Sequence, residues 1–452
     1  MEPREGLVEE LAAVVGPNNV LEDEHARADY EVDWTGRYKG RARLVVRPGT
    51  PEEVARSVVI CGQGGASIVP QGGNTGLVGG AVPVNGEVVI SLRRMNRLVE
   101  VDAGSGQVVA EAGVTLATLA GAAAQAGWRF GIDFAARDSA TVGGMIATNA
   151  GGLHVMRHGS MREQIIGIEA VLADGQVIGR LSGLLKDNTG YHLPSLLAGS
   201  EGTLGIITRA CLKLVRRDSS RASALIGVDG PEQAEEIVNR LRQSCESLAA
   251  AELILENGLS LVLKHQRRER PLPEHPAYVL VETASNRDAE TELVDALADI
   301  GVVSAVLAAG ANEQRRLWEL REGLTDAISA VGVPHKFDVS LPAGRIRHLM
   351  AKLPDLVAAI EPNAVIVVFG HLGDRNLHIN VLGLGRGDGR VDDVVLRAVL
   401  REGGSISAEH GIGRAKRRWL PFDRSRADLA AMRAIKASLD PRGIFNPGVL
   451  FA

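Results

Sequence analysis

Residues 69–80 read Val69-Pro70-Gln71-Gly72-Gly73-Asn74-Thr75-Gly76-Leu77-Val78-Gly79-Gly80, straight after the strand-like run Ala66-Ser67-Ile68. A loop so poor in Cβ atoms lets consecutive backbone N–H groups converge, which makes a concave seat for an anion such as a phosphate. The spacing is not the Gly-x-Gly-x-x-Gly that opens a helix, and no acidic residue stands at the distance that fingerprint requires. No Gly-Lys-Ser/Thr closes the loop, so it is not a P-loop either. Taken alone, the stretch also reads as a flexible surface turn.

Two further segments change the balance. Ser139-Ala-Thr141-Val-Gly-Gly144-Met-Ile-Ala-Thr148-Asn149-Ala-Gly151-Gly and Gly199-Ser-Glu201-Gly202-Thr-Leu-Gly-Ile206 interleave glycine with hydroxyl, amide and carboxylate side chains. Three such loops in one region suit an extended ligand carrying a pyrophosphate better than a single small anion. They also locate an excess: 53 glycines in 452 residues, against about 7% in an average protein.

Around these loops, from Arg41 to about Arg216, short β-branched runs alternate with turns and Ala-rich helical stretches, an α+β pattern. At Arg216-Arg-Asp-Ser-Ser-Arg-Ala-Ser the texture shifts, and glycine thins. Long amphipathic segments such as 231–250 and 311–332 then alternate with strand-like pieces at 224–228, 277–283 and 364–370. A Gly-rich stretch at 383–389 reads as a loop tip, and helical periodicity follows it. The expected division is 1–218, 219–390 and a helical segment 391–452 that packs back on the first domain.

Composition sets outer limits. With 45% hydrophobic and 23% charged residues the chain reads as a soluble globular protein. Fifty basic against 55 acidic residues give a formal charge of −5, which argues against a nucleic-acid partner. Three scattered cysteines provide neither a disulfide framework nor an iron–sulfur cluster site. No apolar run reaches the ~18–20 residues of a membrane span, and the acidic start lacks the basic-then-apolar order of a signal peptide, so a cytoplasmic location is expected.

A second constellation lies downstream. Phe369-Gly-His371-Leu-Gly-Asp-Arg-Asn-Leu-His378-Ile-Asn380 follows an apolar strand, and Ala408-Glu409-His410-Gly-Ile-Gly follows thirty residues later. Seven positions apart on an unbroken strand, His371 and His378 would face opposite sides. A turn at Gly-Asp-Arg-Asn removes that restriction, while His378 and Asn380 share a strand face. Two histidines and a glutamate form a common catalytic zinc set; any one of them alone reads as a hydrogen-bonded structural residue. On the segment 315–332, Leu317, Leu320, Leu324 and Ile328 define one helical stripe, with Arg321 and Thr325 on a neighbouring face. Spacing alone makes that face an ordinary solvated one.

In family order, Pro-Gln-Gly-Gly-Asn-Thr-Gly-Leu-Val-Gly-Gly, Ala-Thr-Val-Gly-Gly-Met-Ile-Ala-Thr-Asn-Ala-Gly-Gly, Gly-Ser-Glu-Gly-Thr-Leu-Gly-Ile-Ile-Thr, the His371 and Glu409 motifs and the terminal Asn446-Pro-Gly resemble the flavin-dependent 2-hydroxy acid dehydrogenases of the vanillyl-alcohol oxidase-like superfamily. The resemblance implies an FAD-binding domain of that fold, an α+β substrate or cap domain and a helical C-terminal segment. It implies FAD held by Pro70, Gly72, Gly73, Asn74, Thr75, Gly76 and Leu77. Along the flavin it implies Ser139, Thr141, Gly144, Thr148, Asn149 and Gly151, with Glu201, Gly202, Ile206 and Asn446. No His or Cys falls within 70–80, so non-covalent FAD is expected. By the same resemblance His371, His378 and Glu409 bind a divalent metal, zinc by expectation, and His410 is the base. The resemblance likewise implies that Arg321, Thr325, Lys336, Asn380 and His410 contact the substrate. Two cations and a hydroxyl suit a second carboxylate, so the expected reaction is oxidation of D-2-hydroxyglutarate to 2-oxoglutarate, with D-lactate or glycolate as the alternative substrate. A non-catalytic FAD-binding subunit of an electron-transfer complex is the reading from another class. A separate electron acceptor, an electron-transfer flavoprotein or a quinone, follows from the same analogy, and a homodimer is the working expectation. One departure stands out: the family usually has Gly-Asp-Gly-Asn where this chain has Gly373-Asp374-Arg375-Asn376.

Overall fold

Apolar runs without polar alternation demand burial on both faces, and Leu44–Val46, Ile68–Gln71 and Val88–Ser91 obtain it by lying parallel in one sheet, with Val88–Ser91 in the middle. Leu44, Val46, Ile68, Val88 and Ile90 pack on one side with the helices Leu7–Val15 and Pro51–Gln63. Val45, Val69 and Val89 pack on the other, around Tyr30. The helix Pro51–Gln63 starts where the sequence provides Thr50, whose hydroxyl accepts the Glu53 N–H, and proline at the first turn. It carries the chain across to Ile68–Gln71, so the first glycine loop leaves the carboxyl end of a parallel strand, where α/β sheets commonly bind ligands.

The computed structural model describes residues 6–385 and 387–451; Arg386, within the expected loop tip, lies outside them, as do the first five residues. The chain forms two units. One runs to Gly152, resumes over His158–Arg217 and closes with the segment from Glu409. Besides the parallel sheet it holds a five-stranded antiparallel sheet in the order Leu98–Asp102, Gln107–Glu111, Ile206–Lys213, Ile165–Val171, Val177–Arg180. Its returning segment joins the parallel sheet through a bridge between Phe445 and Ile68, with the Asn446 N–H donating to the Ile68 carbonyl at 2.7 Å.

The other unit, Leu153–Arg157 and Asp218–Ala408, is built on a seven-stranded, wholly antiparallel sheet. Its order is Ala305–Ala308, Ser220–Val228, Ala277–Ser285, Leu248–Leu255, Val365–His371, Asn376–Leu382, His335–Ser340. The helices Glu256–Gln266, Ala311–Glu322 and Leu324–Val331 cover one face, packing Leu259, Leu317, Leu324 and Ile328 against Leu225, Ile254, Leu280 and Val367. Among the described residues no helix is long and apolar enough to cross a membrane.

Four expectations are corrected. The second glycine segment is mainly a helix, Val142–Thr148, because Gly143 lets it close on the turn that follows the strand Gln107–Glu111: a Cβ there would stand 2.7 Å from that of Ala112. The amphipathic segment from Pro231 ends at Ser244, and Leu248–Leu255 is a strand. The helix bearing the Leu317 stripe breaks at Gly323, where a side chain would meet Gln266 and the Glu319 carbonyl. Finally, the helix Gly389–Arg401 stays in the second unit, so the chain returns to the first at Glu409 and not at 391.

Candidate active site

In the first unit the glycine loop is held open by its own neighbours. A Cβ on Gly73 would lie 1.8 Å from the Ser139 carbonyl oxygen, and one on Gly72 would lie 2.2 Å from Thr141 Oγ1. These two glycines therefore let two segments of the cradle touch. Gly76 is different, since a Cβ there would meet nothing within 4 Å. Arg93 donates through Nε to the Gly72 carbonyl at 3.1 Å and through Nη2 to that of Gly73 at 3.4 Å. With its carbonyls so engaged, the loop keeps its N–H groups for something else: those of residues 72 to 77 make no hydrogen bond among the described residues. Asn74 adopts a left-handed φ of 57° and donates its amide to the Val32 carbonyl at 2.8 Å.

The remaining predicted cofactor residues lie in the same unit. Asn446, 2% exposed, donates Nδ2 to the carbonyls of Gly80 at 2.8 Å and Glu201 at 2.7 Å. Gly202, at φ 70°, packs beside Pro70 and Asn446. Thr148 is spent on its own helix, donating to the Gly144 carbonyl at 3.0 Å. Asn149 caps that helix in the left-handed region and accepts from Ser160 Oγ and the Arg162 N–H. Gly151 is buried, and Ile206 opens the strand Ile206–Lys213.

Whether FAD fits can be tested on what the fold leaves unpaired. Buried polar atoms seldom lack partners, yet Asn74 Oδ1, Thr141 Oγ1, Ser200 Oγ and Asn446 Oδ1 are buried with none among the described residues. Together with the row of N–H groups at 72–77, they fit a large polar cofactor.

Glu201 has both oxygens occupied, accepting the N–H groups of Ile412 and Gly413 at 2.8 Å each. It thereby fixes the loop after His410. Burial pushes its carboxyl up to about 6, against the lowering effect of those two bonds and of Lys416. In the same unit Glu409 accepts the Gly152 N–H through Oε1 at 2.9 Å.

In the second unit the predicted residues share one sheet face. Strand side chains alternate, and directly paired residues point the same way. Lys336 pairs with Asn380 and Asp338 with His378. Asn380 pairs with Val367 and His378 with Phe369, and His371 pairs with Glu252. All stand on the face that the helix Ala311–Glu322 covers. The hairpin turn at Gly-Asp-Arg-Asn brings the imidazoles of His371 and His378 to 5.2 Å between ring centres, edge to face. Arg375 occupies that turn at φ 64°, the left-handed region where glycine is at ease. Burial raises the Asp374 carboxyl to about 6.

Arg321 is 7% exposed and lies over the Phe369 ring, 4.6 Å from its centre. Its Nε donates to Glu252 Oε2 at 2.6 Å, and Glu252 Oε1 stands 2.7 Å from His371 Nδ1. Burial pushes the Glu252 carboxyl up, but the charges of His371 and Arg321 outweigh this and hold it below the ordinary range. Thr325 is exposed on the following helix. Asn380 donates Nδ2 toward the Val367 and His378 carbonyls at 3.4 and 3.3 Å. Sequence reasoning missed Glu252, Asp338 and Arg93. A signal for Glu252 existed: it is the one charged residue in the strand Leu248–Leu255.

A family profile described as "FAD binding domain" matches residues 42–179, and one described as "FAD linked oxidases, C-terminal domain" matches residues 217–450. A D-2-hydroxyglutarate dehydrogenase of Bos taurus, named as mitochondrial, is 38% identical over 452 residues, covering 97% of this chain and 82% of its own. A Schizosaccharomyces pombe protein provisionally named a mitochondrial D-lactate dehydrogenase is also 38% identical, over 92% of this chain and 83% of its own. Among solved structures, p-cresol methylhydroxylase with substrate bound superposes with a TM-score of 0.78 at 17% identity, covering 99% of this chain and 97% of the other.

Proposed function

The chain belongs to the FAD-linked oxidases, among the FAD-dependent D-2-hydroxy acid dehydrogenases of the vanillyl-alcohol oxidase-like superfamily, and from that premise we propose that it oxidises D-2-hydroxyglutarate to 2-oxoglutarate. The observation that carries the choice of a dicarboxylate is the polar row on the seven-stranded sheet. Arg321 stands on the face that also bears His371 and His378, and Lys336 with Asn380 lies further along it. A guanidinium suits the planar fork of a distal carboxylate; lactate has no such group to offer.

In this reading bound FAD supplies the acceptor for the hydride of the carbinol carbon, and a divalent metal, zinc, supplies the Lewis acidity that lowers the hydroxyl pKa. The chain does the rest. The N–H groups of 72–77 seat the pyrophosphate, while His371 and His378 hold the metal, joined by Glu409 on the strength of its motif. His410 takes the hydroxyl proton as general base. Arg321, Thr325, Lys336 and Asn380 orient the substrate. FAD is held non-covalently; in support, Cys61 is fully buried and burial pushes its thiol up to about 12, far from a nucleophilic thiolate. Electrons then pass to a separate acceptor, an electron-transfer flavoprotein or a quinone.

The test is anaerobic mixing with a panel of 2-hydroxy acids, reading the loss of oxidised-flavin absorbance. D-2-hydroxyglutarate should bleach the flavin with the highest efficiency. The Schizosaccharomyces pombe relative favours D-lactate as the rival substrate, and higher efficiency with D-lactate would reject the dicarboxylate. Flavin that no hydroxy acid bleaches would point instead to a non-catalytic FAD-binding subunit.

A further inference from the structure

Glu252 is fully buried in an otherwise apolar strand. Such a carboxylate loses its hydration on burial, a loss offset only when both oxygens are paired. Both are, and by groups with different tasks in the reading above: His371 through Nδ1 and Arg321 through Nε. The ladder register puts Glu252 directly opposite His371, and the covering helix brings Arg321 down on the same face.

We propose that Glu252 is a positioning residue that ties the metal-binding end of the site to the end that receives the substrate's second carboxylate. The inference rests on the proposed reaction for its Arg321 half and on the proposed metal for its His371 half. Accepting at Nδ1 fixes the imidazole tautomer with its proton on that nitrogen, which assigns metal ligation to Nε2 and raises the ring's basicity. On the guanidinium, Oε2 engages Nε while Phe369 supports the plane. Among the described residues neither Nη of Arg321 donates to a protein acceptor, so the forked end is presented for a carboxylate. A shift of either end is felt by the other through one rigid, buried group.

The experiment uses the FAD-loaded protein stripped of metal and compares wild type with Glu252→Gln, which keeps the shape but has only one acceptor oxygen. Zinc alone, titrated against a competing chelator, should bind about 10–100-fold more weakly to the variant. With zinc saturating, the ratio of kcat/KM for D-2-hydroxyglutarate over D-lactate should fall at least about tenfold, through KM for the dicarboxylate. Zinc affinity and substrate ratio both within about twofold of wild type would overturn the proposal; loss of only one would sever the tie and overturn it too. Should Glu252→Gln fail to fold, Glu252→Asp keeps the charge but is one methylene short of both partners, and the same two measurements decide. Wild-type protein that binds zinc but oxidises no 2-hydroxy acid would reject the proposed reaction and the Arg321 half with it. The zinc titration would still judge the His371 half.

Discussion

The loop at 72–77 and the sheet face around Glu252 differ in what fills them. In the loop, side chains are absent where segments of the cradle touch, and the groups proposed to bind are backbone N–H donors with a fringe of unpaired hydroxyl and amide atoms. On the sheet face the groups proposed to bind are long charged side chains, packed under helices and paired with one another. A cofactor that never leaves can be met by backbone, whose geometry is rigid and needs no titration. A small acid that must be distinguished from its analogues calls for charges, and buried charges need counter-charges. The first region should therefore fail by sterics and the second by electrostatics.

The largest expected effect lies in the loop. Gly73→Ala drives a Cβ to 1.8 Å from the Ser139 carbonyl oxygen, so the purified protein should lose its flavin, read as the ratio of flavin to protein absorbance, and most of its soluble yield. Gly76→Ala should keep the fold within about 0.5 kcal/mol while weakening FAD retention, because its methyl would enter the space the loop leaves open. Equal damage at both positions would break the steric account.

Next comes the sheet face. Arg321→Met strands a buried carboxylate and should cost about 3–5 kcal/mol in urea unfolding. Adding Glu252→Gln should restore part of that loss, since the two residues share one interaction; simple additivity would deny the pairing.

A smaller effect follows pH. Glu201 is raised from 4.5 to about 6 in the folded state, so folding tightens its proton. Its stabilising contribution is complete below pH 4.5, fades as pH rises through 6 and is absent above, about 2 kcal/mol in all. Wild type should lose that much more stability than Glu201→Gln between pH 4.5 and 7. The smallest change is expected at Arg375→Gly, which relieves a left-handed φ of 64° and should stabilise by about 0.5–1 kcal/mol. Destabilisation there would mean that the arginine side chain holds the hairpin turn.

Much of this was legible beforehand because it depends on local spacing. The β-branched runs and the apolar stripe of Leu317, Leu320, Leu324 and Ile328 follow from local residue preference and a period of 3.6. The Ala-rich strand Leu248–Leu255 was hidden because alanine favours helix, and only neighbours on both edges of the strand override that preference. The helix Val142–Thr148 was hidden for the reverse reason: adjacent glycines disfavour helix, and close packing against Ala112 repays them.

The sequence by itself determined the family, the glycine cradle and the identity of the histidine and glutamate motifs, since each is a short run whose chemistry resides in its own residues. Only the tertiary structure decided that Glu252, 119 residues before His371 and 69 before Arg321, stands between them. Such a contact leaves no periodic trace in a single chain; the strand register and the helix laid across it create it.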